Sequence, residues 1–434
     1  MAIQNPESFV GRLARIGAAC CAGLLLACAA AGAVWAQSPS LPPFLELRVP
    51  KPPTLATGNG ESFLVHELHV TNFSADTVTL TQVDVVAGAS ESYAGTGSAA
   101  ASGSAGGAAR GTGVGAGRGS AGGTDVGGQR VLLTVADSAL RRNVARPGIG
   151  GPAAERTRIA PGSRAVVYLW VPVDRDAARP LTALRHRVTI DEGTGDSAET
   201  KHLAGAQTPV HPPAEPIGPP LRGGVWLTGN GPSSTSGHRR ALIPVGGKPS
   251  IAQRFAIDYV KVGDADRRFT GDSLENSSYH AYGEDALAVA DGIVVAVKDG
   301  IPENVPGITS RAVPITLETV GGNHVIIDIG GEGERYAFYA HLQPGSLRVQ
   351  VGDRVRRGQV VGLVGNSGNS TEPHLHFHVS DGNSPLGSEG IPYSHHSFDV
   401  VGHCPSLVSA CEREPAVTRH GEQPMGNTLI RFPR

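Results

Sequence analysis

No excess of charge of either sign marks this chain: 37 Lys and Arg stand against 39 Asp and Glu, a formal net charge of −2 over 434 residues. A balance this even gives no whole-molecule attraction to nucleic acid or to an acidic surface, so neither is the expected partner. Charged residues are themselves scarce at 18%, and aromatics scarcer at 5%. Long helical periodicities and βαβ alternation are missing, which excludes helix bundles and doubly wound parallel sheets. Cysteine is sparse, five residues in all, and beyond Ala36 only Cys404 and Cys411 remain. What is plentiful is glycine (59) and proline (32), set among short runs of Val and Ile. That composition is the one expected of β-structure with many turns. The length suffices for two domains of ordinary size, each with its own core.

Arg12 and Arg15 precede an apolar run over 16–33 and then Val34-Trp35-Ala36-Gln37. This reads as a signal peptide over 1–36 cleaved after Ala36, so the protein is expected to be exported, periplasmic or secreted. Two further readings stand behind it. Leu25-Leu26-Ala27-Cys28 resembles a lipoprotein box, which would place a lipid anchor on Cys28, and a retained signal would be a membrane anchor. In an exported chain Cys404 and Cys411 are expected to form a disulfide.

An all-β fold of two domains is expected. Residues 37–207 read as a β-sandwich of immunoglobulin-like type, with 63–70 and 77–86 as a hairpin and further strands over 165–172 and 185–190. Within it, an Ala, Gly and Ser tract over 87–128 has too little apolar surface to offset its ordering entropy and is expected to be a disordered insert. A proline-rich linker over 208–223 is extended and stiff. An antiparallel β catalytic domain follows over 224–400, with strands at 286–297, 324–329, 336–341, 359–364 and 374–379, and then a tail over 401–434. His66 and His69, three apart, face opposite sides of their strand and read as surface residues, as do His395 and His396.

The chemistry concentrates in Pro373-His374-Leu375-His376-Phe377-His378, where residues two apart on an extended strand share a face. Neutral imidazole both ligates zinc and moves protons near neutral pH. Asn366-Ser367-Gly368-Asn369 lacks the Lys-Ser/Thr of a phosphate loop and reads as a turn. Arg239, Arg240, Arg267 and Arg268 read as solvated loop charge.

Several ordered blocks resemble the zinc metallopeptidases of family M23, the lysostaphin and LytM-like peptidoglycan endopeptidases, over roughly residues 225–400. They are Phe255-Ala256-Ile257-Asp258-Tyr259, Ala288-Val289-Ala290-Asp291-Gly292, Asn323-His324-Val325-Ile326-Ile327, Tyr339-Ala340-His341-Leu342, residues 351–359, and Gly365-Asn366-Ser367-Gly368-Asn369-Ser370 running into the His-x-His strand. The resemblance implies an exported endopeptidase acting on peptide cross-links of peptidoglycan. It also implies one catalytic Zn2+ held by a His, an Asp and the second His of the strand, with an open position. By this resemblance Asp258 and His376 are metal ligands, and His341 and His374 are catalytic. His378 is expected beside the site or exposed rather than on the metal.

One position departs from the pattern. The family's first ligand stands four residues before the Asp, where this chain has Arg254, a permanent cation that cannot bind zinc. His238 is the substitute put forward, brought back by a hairpin through 244–248, with His280 as second choice. Arg254 also motivates an alternative function, a degenerate relative that binds cell wall or a partner protein without cleaving. A biotinyl or lipoyl carrier, suggested by 351–359, is excluded because no Lys follows Lys298. The sequence specifies no oligomeric state.

Overall fold

Val, Thr and Leu dominate the strands of the N-terminal half, where β-branched side chains pack well on pleated surfaces. The computed structural model describes residues 44–88, 125–126, 129–174, 181–193, 198–307, 311–331, 334–405 and 410–433. The expected signal, Cys28 and most of the 87–128 insert lie outside the described residues. Glu61–Asn72 pairs antiparallel with Leu45–Arg48, Leu55–Gly58 and Arg164–Val173. Val78–Ala87 lies in a second sheet, between Gln129–Ala136 and Ala183–Glu192. The inner faces meet in one core, with Leu64, Leu68 and Val70 on one side and Val83, Val85, Leu133 and Val188 on the other.

The expected hairpin is therefore corrected: its two strands belong to different sheets. Asn72 turns the chain out of the first sheet, its Nδ2 donating to the carbonyls of Asp76 (2.7 Å) and Ile159 (2.9 Å) while its Oδ1 accepts from Ser74 N (2.9 Å). A second correction concerns burial, because Glu61–Asn72 is buried on both faces beyond its first residue. His66 points into the sandwich, where its Nε2 lies 2.8 Å from His186 Nε2. Phe63 and Val65 point the opposite way and join the core of the C-terminal half. His66 and His69 are thus buried, at 0% and 3% exposure, rather than on the surface.

The C-terminal half is built on one antiparallel ten-stranded sheet. Its strand order is Arg354–Val355, Gly292–Lys298, Asn323–Asp328, Tyr336–Leu342, Leu375–Ser380, Ile257–Val262, Val225–Gly229, Thr428–Arg431, Phe398–His403 and Glu412–Arg419. One face carries the core, where Ile257, Tyr259, Tyr339, Leu375, Phe377 and Val379 are fully buried. Burial on this scale contributes roughly 1.5–3 kcal/mol per large side chain. The strand expected over 286–297 is two: Asp285–Leu287 pairs with Val360–Leu363 in a separate small sheet. The break falls before Gly292, where a Cβ would stand 2.3 Å from the carbonyl oxygen of Asp328, so only glycine permits the crossing.

Residues read as a tail supply two strands of the large sheet, Glu412–Arg419 and Thr428–Arg431, and the end of a third, Phe398–His403, and a disulfide joins Cys404 to Cys411. The proline-rich segment runs along the small-sheet strand Asp285–Leu287 and the residues after it, with Gly218 N donating to Val289 O (2.7 Å) and Leu287 N to Pro220 O (2.8 Å). His395, read as a surface residue, is fully buried and donates from Nδ1 to Gly218 O at 2.9 Å. His396 is exposed.

Candidate metal centre

Cross-strand register brings the first two side chains together. In the pairing of Ile257–Val262 with Leu375–Ser380, Asp258 stands directly opposite His376, and Gly229 of the next strand stands opposite Asp258. His376 Nδ1 donates to Asp258 Oδ1 at 2.8 Å. Because Leu375 and Phe377 point into the core, His376 and His378 share the other face. His376 Nε2 lies 3.0 Å from His378 Nδ1, so His378 is buried beside the site and fixes the ring of His376.

His238 reaches the pair from outside the sheet. Val225–Gly229 ends at Asn230, whose φ of +48° turns the chain toward the one-turn helix Gly237–Arg240. His238 donates from Nδ1 to Asn230 O (3.1 Å), which leaves Nε2 aimed at Asp258 Oδ2, 3.4 Å away. Downstream, Ile243–Val245 and Lys248–Ser250 form the hairpin that returns the chain toward Asp258. One donor atom each from His238, Asp258 and His376 lie within 4.8 Å of one another. Two imidazole nitrogens and a carboxylate oxygen, one imidazole oriented by a carbonyl on its far nitrogen, are a donor set suited to zinc.

Sequence reasoning missed Asn230. Its carbonyl orients His238 and its Nδ2 donates to Asp258 Oδ2 at 2.8 Å. Gly229-Asn230-Gly231-Pro232 at the end of a strand was the available signal, because Asn tolerates the left-handed region that the turn needs. His280 is elsewhere, its ring against Gly263 and 3.3 Å from Thr270 Oγ1.

Two further imidazoles line the same place. His374, one residue before its strand, donates from Nδ1 to Glu372 O (2.8 Å), and its Nε2 is 3.4 Å from Asp258 Oδ1. His341 donates from Nδ1 to Ser367 O (2.8 Å), and its ring centroid is 4.9 Å from that of His374. Both rings therefore keep Nε2 for other partners. His341 has a φ of +63°, a left-handed conformation that is strained for a side-chain-bearing residue. The surroundings hold it there: His341 N donates to Gly321 O, Gly365 N to His341 O, and Ser367 Oγ to Leu342 O. The Asn366-Ser367-Gly368 turn seats so closely on Gly322 that a Cβ there would lie 2.5 Å from Ser367 O.

Electrostatics follow from this crowding. Burial alone would push the Asp258 carboxyl up, but His238, His374 and His376 outweigh it and hold it well below the usual carboxylate range. Burial likewise pushes His374 down, yet the facing Asp258 carboxylate turns the balance and holds it above the ordinary imidazole value. His341 is held well below that value by burial and by the two neighbouring imidazoles.

Arg254 takes no part in this cluster. It is buried, donates to Glu389 Oε2 (2.7 Å) and Glu67 Oε2 (3.0 Å), and these carboxylates hold it above its ordinary value against the effect of burial. Arg239 and Arg240, read as solvated charge, are corrected as well: Arg239 is fully buried, and the Arg240 guanidinium lies 4.1 Å from the centre of the Tyr168 ring. Arg268 pairs with Glu372 at 2.6 Å, and Arg267 is exposed.

The sequence model of Peptidase family M23 matches residues 278–387. The M23 resemblance read from the sequence is thus borne out over this stretch. The matched M23 stretch contains His341, His374 and His376, while His238 and Asp258 precede it. Glycyl-glycine endopeptidase ALE-1 of Staphylococcus capitis is 34% identical over 96 residues, 22% of this chain and 23% of that protein. Lysostaphin of Staphylococcus simulans is 44% identical over 57 residues, 13% of this chain and 11% of that protein. The chain thus spans about a quarter or less of the length of these two relatives. Among solved structures, the catalytic domain of the antimicrobial peptidase lysostaphin from Staphylococcus simulans is 20% identical, covers 39% of this chain and 88% of its own, and has a TM-score of 0.21.

Proposed function

We propose that this chain is an exported zinc-dependent endopeptidase that hydrolyses peptide bonds in the cross-links of bacterial peptidoglycan. The observation that carries the reading is the meeting of His238, Asp258 and His376 within 4.8 Å, with His341 and His374 alongside. In this reading those three side chains hold the zinc. The ion supplies Lewis acidity toward a carbonyl and toward water.

The chain's own residues do the rest. His378 and Asn230 keep His376 and His238 in the rotamers that face Asp258. His374 and His341, each tied by Nδ1–H to a backbone carbonyl, present Nε2 as a proton acceptor. In the proposed reaction these nitrogens take the proton of the attacking water, hydrogen-bond the oxyanion that forms at the scissile carbonyl, and return a proton to the leaving amine. His341's strained backbone supports this role, since such conformations concentrate where geometry serves function. ALE-1 is a glycyl-glycine endopeptidase, which makes glycyl-glycine bonds the first cross-links to try.

Metal analysis of the purified full chain, paired with release of soluble peptides from peptidoglycan, tests the proposal. One zinc per chain is expected, with release that disappears in His376→Ala. Undiminished release by His376→Ala would overturn it. Wild-type protein without zinc and without release would favour the binding module that Arg254 suggested.

A further inference from the structure

Among the three metal-facing residues only His238 lies outside the sheet, on a single helical turn, Gly237–Arg240. One turn has no stability of its own. What holds it lies directly after His238. Arg239 is fully buried, and its Nη2 donates to Leu169 O at 2.7 Å and to His66 O at 3.4 Å, both on strands of the N-terminal sandwich. Its guanidinium lies over the Tyr168 and Trp170 rings, 5.6 and 5.8 Å from their centres. Its Nε is 3.5 Å from Glu67 Oε1, an ion-pair separation without hydrogen-bond alignment. The other oxygen of the same carboxylate, Oε2, accepts from Arg254, which in turn reaches Glu389.

Two arginines and two glutamates therefore form a charge-balanced cluster whose side chains are 0–5% exposed. Buried charges survive only when paired, and removing one partner leaves another uncompensated. Glu67, on Glu61–Asn72, is the member that touches both arginines: one on the residue after His238, the other four residues before Asp258.

We propose that Glu67 is a positioning residue for the metal centre: through Arg239 it fixes the turn that presents His238, so the N-terminal sandwich supplies part of the site's preorganisation. The inference rests on the zinc reading above and adds to it a dependence on a residue of a different sheet. Without Glu67, the sheet still offers Asp258 and His376, but the turn that carries the third donor loses its buried ion pair.

The test is zinc affinity of the full chain, measured by competition with a chromophoric chelator, in a double-mutant cycle. Glu67→Gln is expected to weaken zinc binding about 10–100-fold, as loss of groups that orient ligands does. In a His238→Ala background the same substitution is expected to change affinity by less than about twofold, because its target is gone. Equal weakening in both backgrounds would mean general softening of the fold, and it would overturn the proposal, as would an unchanged affinity in Glu67→Gln. Should Glu67→Gln not give a cooperative melt, Glu67→Asp decides. It keeps the charge but shortens the reach to Arg239 by one methylene, and a smaller loss of affinity, again dependent on His238, is expected. No loss there would overturn the proposal. Wild-type protein that binds no zinc would overturn the metal reading and this inference together, whereas tight binding unaffected by these substitutions would remove the inference alone.

Discussion

Asp258 and His376 face each other because two strands are in register, whereas His238 arrives on one helical turn held by side chains. The first arrangement is specified by backbone hydrogen bonds and by Phe377 and Ile257 in the core on the far face. The second depends on a buried charge cluster and on Asn230. One centre thus combines a donor pair that backbone pairing fixes with a donor whose position can be lost by changing residues distant in sequence.

The comparison can be broken most severely at Arg254. Arg254→Ala leaves Glu67 and Glu389 buried with too little positive charge, and a loss of about 3–5 kcal/mol in unfolding free energy is expected from denaturant titration. A loss below about 1 kcal/mol would show that the cluster contributes little to the fold. Next come the two imidazoles that the proposed function assigns to proton transfer. His341→Ala and His374→Ala are each expected to lower kcat about 10²–10⁴-fold with zinc content unchanged. Loss of zinc in either variant would move that residue into the metal-holding set.

Acid sharpens the contrast between the two halves. Burial lowers His69 and His186 in the sandwich to about 4, below the ordinary value near 6.5. A buried neutral imidazole stabilises the fold fully above the unfolded value, and that stability drains as pH falls from about 6.5 toward 4, because the unfolded chain takes up the proton first. For His186 the loss is expected to reach up to about 3 kcal/mol, and His186→Leu should flatten that part of the acid limb. A pH-stability profile of the variant that overlays the wild type would contradict this. The smallest effect is expected at Asn230→Gly, which keeps the turn but loses the hydrogen bond to Asp258 Oδ2, weakening zinc about tenfold; no change would show that Asn230 serves the turn alone.

Much of the site was legible because its signals are local. A strand of period two with imidazoles on one face and Leu and Phe on the other dictates which way His376 and His378 point. His238 was legible only as one of two candidates, since the sequence does not state what a loop packs against. The burial of Glu67, His66 and His69 was illegible for a related reason: a polar face on a strand looks the same whether it meets water or a charge-balanced cluster. The mistaken hairpin has the same origin. Two adjacent apolar strands with a short link satisfy both a hairpin and a sandwich corner, and the decision rests on Asn72 reaching the distant Ile159.

Anomalous scattering at the zinc edge, from crystals of the full chain grown with zinc, addresses the centre most directly. The account predicts a single strong peak about 2.0–2.2 Å from His238 Nε2, a carboxylate oxygen of Asp258 and one nitrogen of His376. A peak held by Asp258 and His376 with His238 turned away, or a peak elsewhere in the molecule, would contradict it.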